Sequence, residues 1–298
     1  MIAGPIERGK NLLPQLRASL PGFDYVMVTA GLQLMLWGAF KKIVVADRIA
    51  PFVDRVYDAP HEFSGVSLVF STWLYAFQLY FDFSGYTDIA LGAAMIFGIK
   101  LLPNFNRPYF AVSIQDFWKR WHMSLTSWLN DYIYTPFMRS RFTGLKMYNL
   151  ILLGMMLTFV VSGFWHGANW TFIVWGALHG FYIVVSLLAQ KRWNKFAKNT
   201  GLNKRKKAYR ALKISVFSYI FFRASSIGDA GFIIVHSFTG WGDLIGGIRA
   251  VVDGKLSEML LALLGIAIVM APELHKDHAK IGAKYQSLRT WQRWGLIY

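Results

Sequence analysis

Five ionisable side chains lie inside or beside long apolar runs of this sequence: Asp82, Asp88, His122, His166 and His179. A titratable group at membrane depth is expensive unless it faces a cavity or a partner, so each is a candidate for chemistry. His166 stands in Gly163-Phe-Trp-His-Gly-Ala-Asn-Trp170 between two apolar stretches, with Trp165 and Asn169 near it and glycines that let a chain or ligand come close. An imidazole with an ordinary pKa of about 6.5, held where the dielectric is low, can take a proton from a hydroxyl and return it to a leaving group. The same ring could be a hydrogen-bonded structural histidine, and the residues alone leave both readings open.

Asp82 and Asp88 flank Phe-Ser-Gly-Tyr-Thr, where Gly85 and the hydroxyls of Ser84 and Thr87 suggest a broken or re-entrant segment with the two carboxylates capping helix ends. Proton relay or substrate contact is the alternative. His179, in Trp175-Gly-Ala-Leu-His-Gly180, has small neighbours that suit close helix packing and a structural role. No cysteine occurs, which removes disulfides, thiolate metal sites and a cysteine nucleophile. The one close histidine pair, His275 and His278 near Glu273, falls in a polar segment, and no metal is expected. Phosphate-loop, dinucleotide and Gly-x-Ser-x-Gly signatures are absent, so ATP use and serine-hydrolase chemistry lose support.

The elements that must position these groups are membrane helices. Of 298 residues, 55% are apolar and 16% charged, against about 25% charged in soluble chains. Aromatic residues make up 17%, a density that fits much surface at the headgroup level. The net charge of +16 comes from basic residues placed between apolar runs, which points to phospholipid headgroups and away from nucleic acid. The N-terminus has no charged region followed by an apolar one and is not a secretory signal.

About 20 apolar residues are needed to span the hydrocarbon. The uncharged runs Phe63 to Phe81, Met147 to Trp165 and Ala168 to Gln190 meet that length. Tyr25 to Phe40, Phe83 to Ile99, Tyr209 to Phe222 and Leu256 to Pro272 are weaker candidates for tilted or partial spans. Lys191 to Lys213 holds ten basic residues and no acidic one, which assigns that loop to the cytosol and turns the loop around His166 away from it. Ser113 to Tyr134 is too charged to cross. At 100° per residue it gathers Phe117, Trp118, Trp121, Leu125, Trp128, Leu129 and Tyr132 on an arc of about 120°, the pattern of an amphipathic helix along the interface or lining a cavity, with His122 just beyond the arc. No internal repeat is found, and one membrane-embedded, all-α unit over 1–298 is the expected organisation.

In order along the chain, Ile2-Ala-Gly-Pro-Ile6, Asp82-Phe-Ser-Gly-Tyr-Thr-Asp88, Asn104-Phe-Asn-Arg-Pro-Tyr109, Asp116-Phe-Trp-Lys-Arg-Trp-His-Met-Ser-Leu-Thr-Ser-Trp128 and Gly163-Phe-Trp-His-Gly-Ala-Asn-Trp-Thr-Phe172 with Trp175 to Gly180 resemble the membrane-bound O-acyltransferase family, in its bacterial branch of alginate O-acetylation membrane proteins. Phe221-Phe-Arg-Ala224 is a looser echo. The resemblance implies a polytopic, multi-helix bundle around a tunnel in a bacterial inner membrane. It implies no tightly bound cofactor, an acyl-CoA or acyl-carrier thioester donor on the cytosolic side, and an extracytoplasmic polysaccharide acceptor, reached directly or through a soluble acyltransferase partner.

His166 would then deprotonate the acceptor hydroxyl while His122 orients it or stabilises developing charge. Asp82, Ser84, Asp88, Trp121, Trp165, Asn169 and His179 are the accompanying candidates for substrate or tunnel contact. A helix starting at Met147 would leave His166 at the far interface, so tilt or a water-filled funnel is expected.

There are departures. Relatives carry a block of spans before the Ala-Gly-Pro segment, and Trp294-Gly-Leu-Ile-Tyr298 reads like the start of another span, so a missing N-terminal block and a missing last helix are expected. Thr135 to Arg141 replaces the family's Gly-Gly-Asn-Arg stretch. The competing functions are D-alanyl transfer to teichoic acid, a proton-coupled transporter, and an inactive fragment.

Overall fold

The computed structural model describes residues 4–18, 22–140, 144, 146–199 and 204–274, and among these all regular structure is helical. Ile2 and Ala3 of the first motif, the His275 and His278 pair and the segment at Trp294 lie outside the described residues, as do the side chains at 191 and 193–210 in the basic stretch, whose backbone at 191–199 and 204–213 is helical.

Helix α1 is Gly9–Arg17. Helix α2, Tyr25–Ala39, starts on Asp24, whose carboxylate accepts from the N–H groups of Val26 and Met27. It continues through a π-helical turn, Phe40–Ala46, into α3, Asp47–Tyr57. The Tyr25 to Phe40 run is therefore the first half of a longer rod, Tyr25–Tyr57, of 33 residues. Two lysines sit in its middle because each has a carboxylate to meet. Lys41 Nζ lies 2.7 Å from Asp88, and Lys42 Nζ lies 2.6 Å from both Asp47 and Asp82.

Helix α4, Val66–Ile96, corrects the reading of a break at Asp82 to Asp88. It runs without interruption for 31 residues, joining what had read as two spans. Gly85 serves helix packing: a Cβ there would strike the Gly38 carbonyl of α2, and one at Gly92 would strike the Gly31 carbonyl. The two rods touch backbone to backbone, as small residues permit. Asp82 and Asp88 end no helix; they neutralise Lys42 and Lys41 across this seam.

The amphipathic stretch is also divided. Helix α5, Ile114–Trp118, is capped by the Ser113 hydroxyl, which accepts from Asp116 N–H. The chain then turns through residues 119–122 before α6, Met123–Leu129, a π turn at Asn130–Tyr134, and α7, Thr135–Arg139. Phe117, Trp118, Trp121, Leu125 and Leu129 are buried inside the protein, whereas Trp128 is half-buried and Tyr132 exposed, so only part of the apolar face packs inside.

Helix α8, Met147–His166, and α9, Trp170–Asn199, form a tight hairpin. A Cβ on Gly163 would collide with the Phe172 carbonyl, and one on Gly176 with the Phe159 carbonyl. Helices α10, Lys204–Arg223, α11, Ile227–His236, α12, Leu244–Val252, and α13, Leu256–Leu274, complete the bundle. Among the described residues, four helical stretches are long and apolar enough to cross a membrane: Tyr25–Tyr57, Met147–His166, Trp170–Gln190 and Leu256–Leu274. Helix α4 packs against α2, α3, α10 and α12, and α10 also lies on α9, which joins the two halves.

Candidate active site

His166 is delivered by the last turn of α8 and is half-buried among rings: Trp165 at 5.0 Å, Trp175 at 5.1 Å, Phe222 at 5.1 Å and Phe172 at 6.3 Å between centroids. Trp175 and Phe222 come from α9 and α10, so three helices fix the imidazole. His122 arrives from a different element, the turn that opens α6. Its backbone is left-handed, at φ 43° and ψ 52°, a conformation unfavourable for any residue with a Cβ.

The His122 ring stands edge-on to Phe83 of α4 at 4.6 Å and to Trp165 at 6.0 Å. The Trp165 indole therefore bridges the two imidazoles, which are 44 positions apart in sequence but converge in space. Burial first, and the neighbouring His166 ring second, push the His122 pKa down to about 3, so this imidazole is neutral at physiological pH. Its Nδ1 is buried and has no protein partner. One neutral imidazole with an open nitrogen beside another can accept a proton at one ring and hydrogen-bond a reacting oxygen at the other.

The other candidates divide clearly. His179 is fully buried and bonded at both nitrogens. Trp118 Nε1–H donates to Nδ1 at 3.2 Å, so Nε2 carries the proton toward Ser218 Oγ at 2.7 Å, and that hydroxyl donates to the Ser215 carbonyl at 2.7 Å. Such a ring has no lone pair left for substrate. Asn169 caps α9, its Oδ1 accepting from Thr171 N–H at 3.0 Å. Trp121 is buried behind His122, stacked on Phe117 at 5.5 Å and edge-on to Phe105 at 5.1 Å. Trp165 is partly exposed, while Asp82 and Asp88 of α4 pair with Lys42 and Lys41, and Ser84 is buried on the same helix.

Two cavities flank the histidine pair, and neither imidazole is in their walls. One, of about 380 Å³, is polar and includes Lys41, Ser84, Asp88, Asn104, Arg107 and Glu273. The other, of about 600 Å³, is mainly apolar and includes Met123, next to His122, and Ser162, one turn before His166, with Trp118 and Phe159. Phe83 and Trp165 cover His122 between them. Among the described residues, no three His, Asp or Glu side chains converge as metal ligands would. Sequence reasoning did not single out Asn104, Phe83 or Phe222 individually. Asn104 and Phe83 lie inside motifs it did pick out, but the contact of Phe83 with His122 and the bonds of Asn104 to Met123, Ser124 and Thr87 depend on a fold that brings α4 beside residue 122.

The model of the MBOAT, membrane-bound O-acyltransferase family, matches residues 2–222, a stretch that contains both histidines and every element that holds them. The chain belongs to the membrane-bound O-acyltransferase family. Among curated relatives of this family member, a peptidoglycan O-acetyltransferase from Helicobacter pylori is 43% identical over 186 residues, covering 62% of this chain and 34% of the relative. A probable alginate O-acetylase from Azotobacter vinelandii is 39% identical over 189 residues, covering 62% and 36%. A teichoic acid D-alanyltransferase from Streptococcus thermophilus is 30% identical over 217 residues, covering 67% and 51%. The chain thus spans about a third to a half of the length of these relatives.

Proposed function

We propose that this family member carries the acyl-transfer centre of a bacterial inner-membrane O-acetyltransferase, moving an acetyl group from a cytosolic thioester to a hydroxyl of an extracytoplasmic polysaccharide. The observation that carries the reading is the meeting of His122 and His166 around Trp165 from separate elements. His166 takes the proton of the acceptor hydroxyl, whose oxygen attacks the thioester carbonyl. His122, neutral and open at Nδ1, hydrogen-bonds the reacting oxygen; His166 then returns its proton to the thiolate that leaves. The donor is an acyl-CoA or acyl-carrier thioester, and a soluble extracytoplasmic acyltransferase relays the group where the acceptor is not reached directly.

The apolar cavity supports this placement, because its walls include Met123, next to His122, and Ser162, one turn before His166, and so offer an acyl group a dry space close to the pair. Acetyl transfer is favoured over D-alanyl transfer by the closer similarity to the O-acetylating relatives, although the D-alanyltransferase likeness covers as much of the chain. The test is incorporation of labelled acetate and labelled D-alanine by membranes containing the full-length protein and its partner. Acetate label that disappears in folded His166→Ala supports the reading. D-alanine label alone selects the second reading, and unchanged acetate transfer in the variant removes His166 as the base.

A further inference from the structure

His122 adopts a left-handed backbone conformation that is unfavourable for a residue with a Cβ and persists only where the surroundings over-determine it. What over-determines it is one residue, Asn104, which is completely buried in an irregular strip of chain between α4 and α5. The Asn104 carbonyl accepts from Met123 N–H at 2.9 Å. Its side-chain Oδ1 accepts from Ser124 Oγ at 2.5 Å and from Ser124 N–H at 3.3 Å. With Oδ1 committed to α6, Nδ2 faces the other way and donates to Thr87 Oγ1 of α4 at 3.3 Å.

The two N–H groups that follow His122, unmatched within α6, are therefore satisfied from outside the helix. The same strip pairs once more with the turn, Asn106 N–H donating to the Arg120 carbonyl at 2.9 Å. The buried His122 ring has no hydrogen-bond partner at Nδ1 and stands edge-on to Phe83 and Trp165, so no bond to Nδ1 fixes how it is aimed. Its direction is then set by its backbone.

We propose that Asn104 is the positioning residue of the acyl-transfer centre: it bolts the left-handed turn at His122 to α4 and so aims the His122 imidazole at the Trp165 and His166 side of the site. This rests on the functional reading above. The clamp acts through His122, so its removal should misplace one group and change the rate more than the binding. A displacement of about an ångström at a catalytic group can cost on the order of 100-fold in rate.

The experiment uses the full-length protein in membranes and two readouts. In the first, kcat and KM for acyl transfer are compared for wild type, Asn104→Ala, His122→Ala and the double variant. The clamp predicts a 10- to 100-fold fall in kcat for Asn104→Ala with KM within about threefold, and almost no further fall when His122 is already alanine. Equal factors in both backgrounds would mean general damage to the fold and would overturn the proposal. In the second readout, diethyl pyrocarbonate labelling of each histidine is mapped by mass spectrometry, with exposed His61 as the internal standard. Asn104→Ala should raise His122 labelling several-fold, and unchanged labelling counts against the clamp.

If Asn104→Ala does not fold, Thr87→Val removes only the hydroxyl that anchors the amide. It should move both readouts the same way by a smaller factor, and no movement in either overturns the idea. A wild-type protein without transferase activity would defeat the functional reading, while the labelling arm would still decide the clamp.

Discussion

Three of the seven histidines of this chain, His122, His166 and His179, show how the same side chain is put to different uses by its surroundings. His179 has both nitrogens engaged, by Trp118 and Ser218, and is part of the framework. Replacing it with Phe orphans the buried Trp118 N–H, which should cost about 1–3 kcal/mol. Thermal unfolding in detergent should show that loss, while transfer per folded molecule stays within a few-fold of wild type. His122→Ala, by contrast, should lower kcat about 100-fold or more, the scale of losing one donor to a reacting oxygen, with little change in melting temperature. A melting temperature lowered as far as in His179→Phe would recast His122 as structural.

The chemistry of these residues was legible in sequence as motif and spacing, but their separation into roles was not. Which histidine is saturated depends on Ser218, 39 positions from His179, and no local pattern announces that bond.

Among the elements, the α2 and α4 pair decides most. Gly85 looked like a break because glycine between two aspartates fits a helix end as well as a helix crossing. Only the partner glycine, Gly38, distinguishes them. Gly85→Leu should force the rods apart and destabilise the protein by about 1–3 kcal/mol or more, read as a lower melting temperature or loss of folded yield.

The Lys41 and Asp88 pair makes a second test. Removing one member of a buried pair costs about 3–5 kcal/mol, whereas apolar replacement of both is often neutral. Lys41→Met alone should therefore be much less stable than Lys41→Met combined with Asp88→Leu; equal stabilities would show that the pair is well solvated. The Ser113 to Tyr134 stretch was read correctly as sided and wrongly as one rod. Periodicity counts residues at 100° each and is blind to a left-handed residue such as His122, which resets the phase between α5 and α6.

For the whole molecule, the apolar runs gave the long helices their place but not their assembly, since lipid-facing and protein-facing apolar residues look alike in a sequence. Their orientation rests on the basic stretch from Lys191 to Lys213, which the sequence suggests as a loop but which the end of α9 and the start of α10 largely occupy. The absence of cysteine from these 298 residues makes this measurable, because a cysteine introduced here is the only thiol within them. Asn169→Cys should react with a membrane-impermeant maleimide from outside spheroplasts and Arg192→Cys only after the membrane is opened. The reverse pattern would turn the site to face the cytosol and exclude an extracytoplasmic acceptor.

The central claim, that His166 is the base of an acyl transfer, is tested most directly by transfer of labelled acetate in membranes holding equal amounts of folded wild-type, His166→Ala and His179→Phe protein. The account predicts label in the first and third and none above background in the second. Label that persists in His166→Ala, at a rate close to wild type, would contradict it.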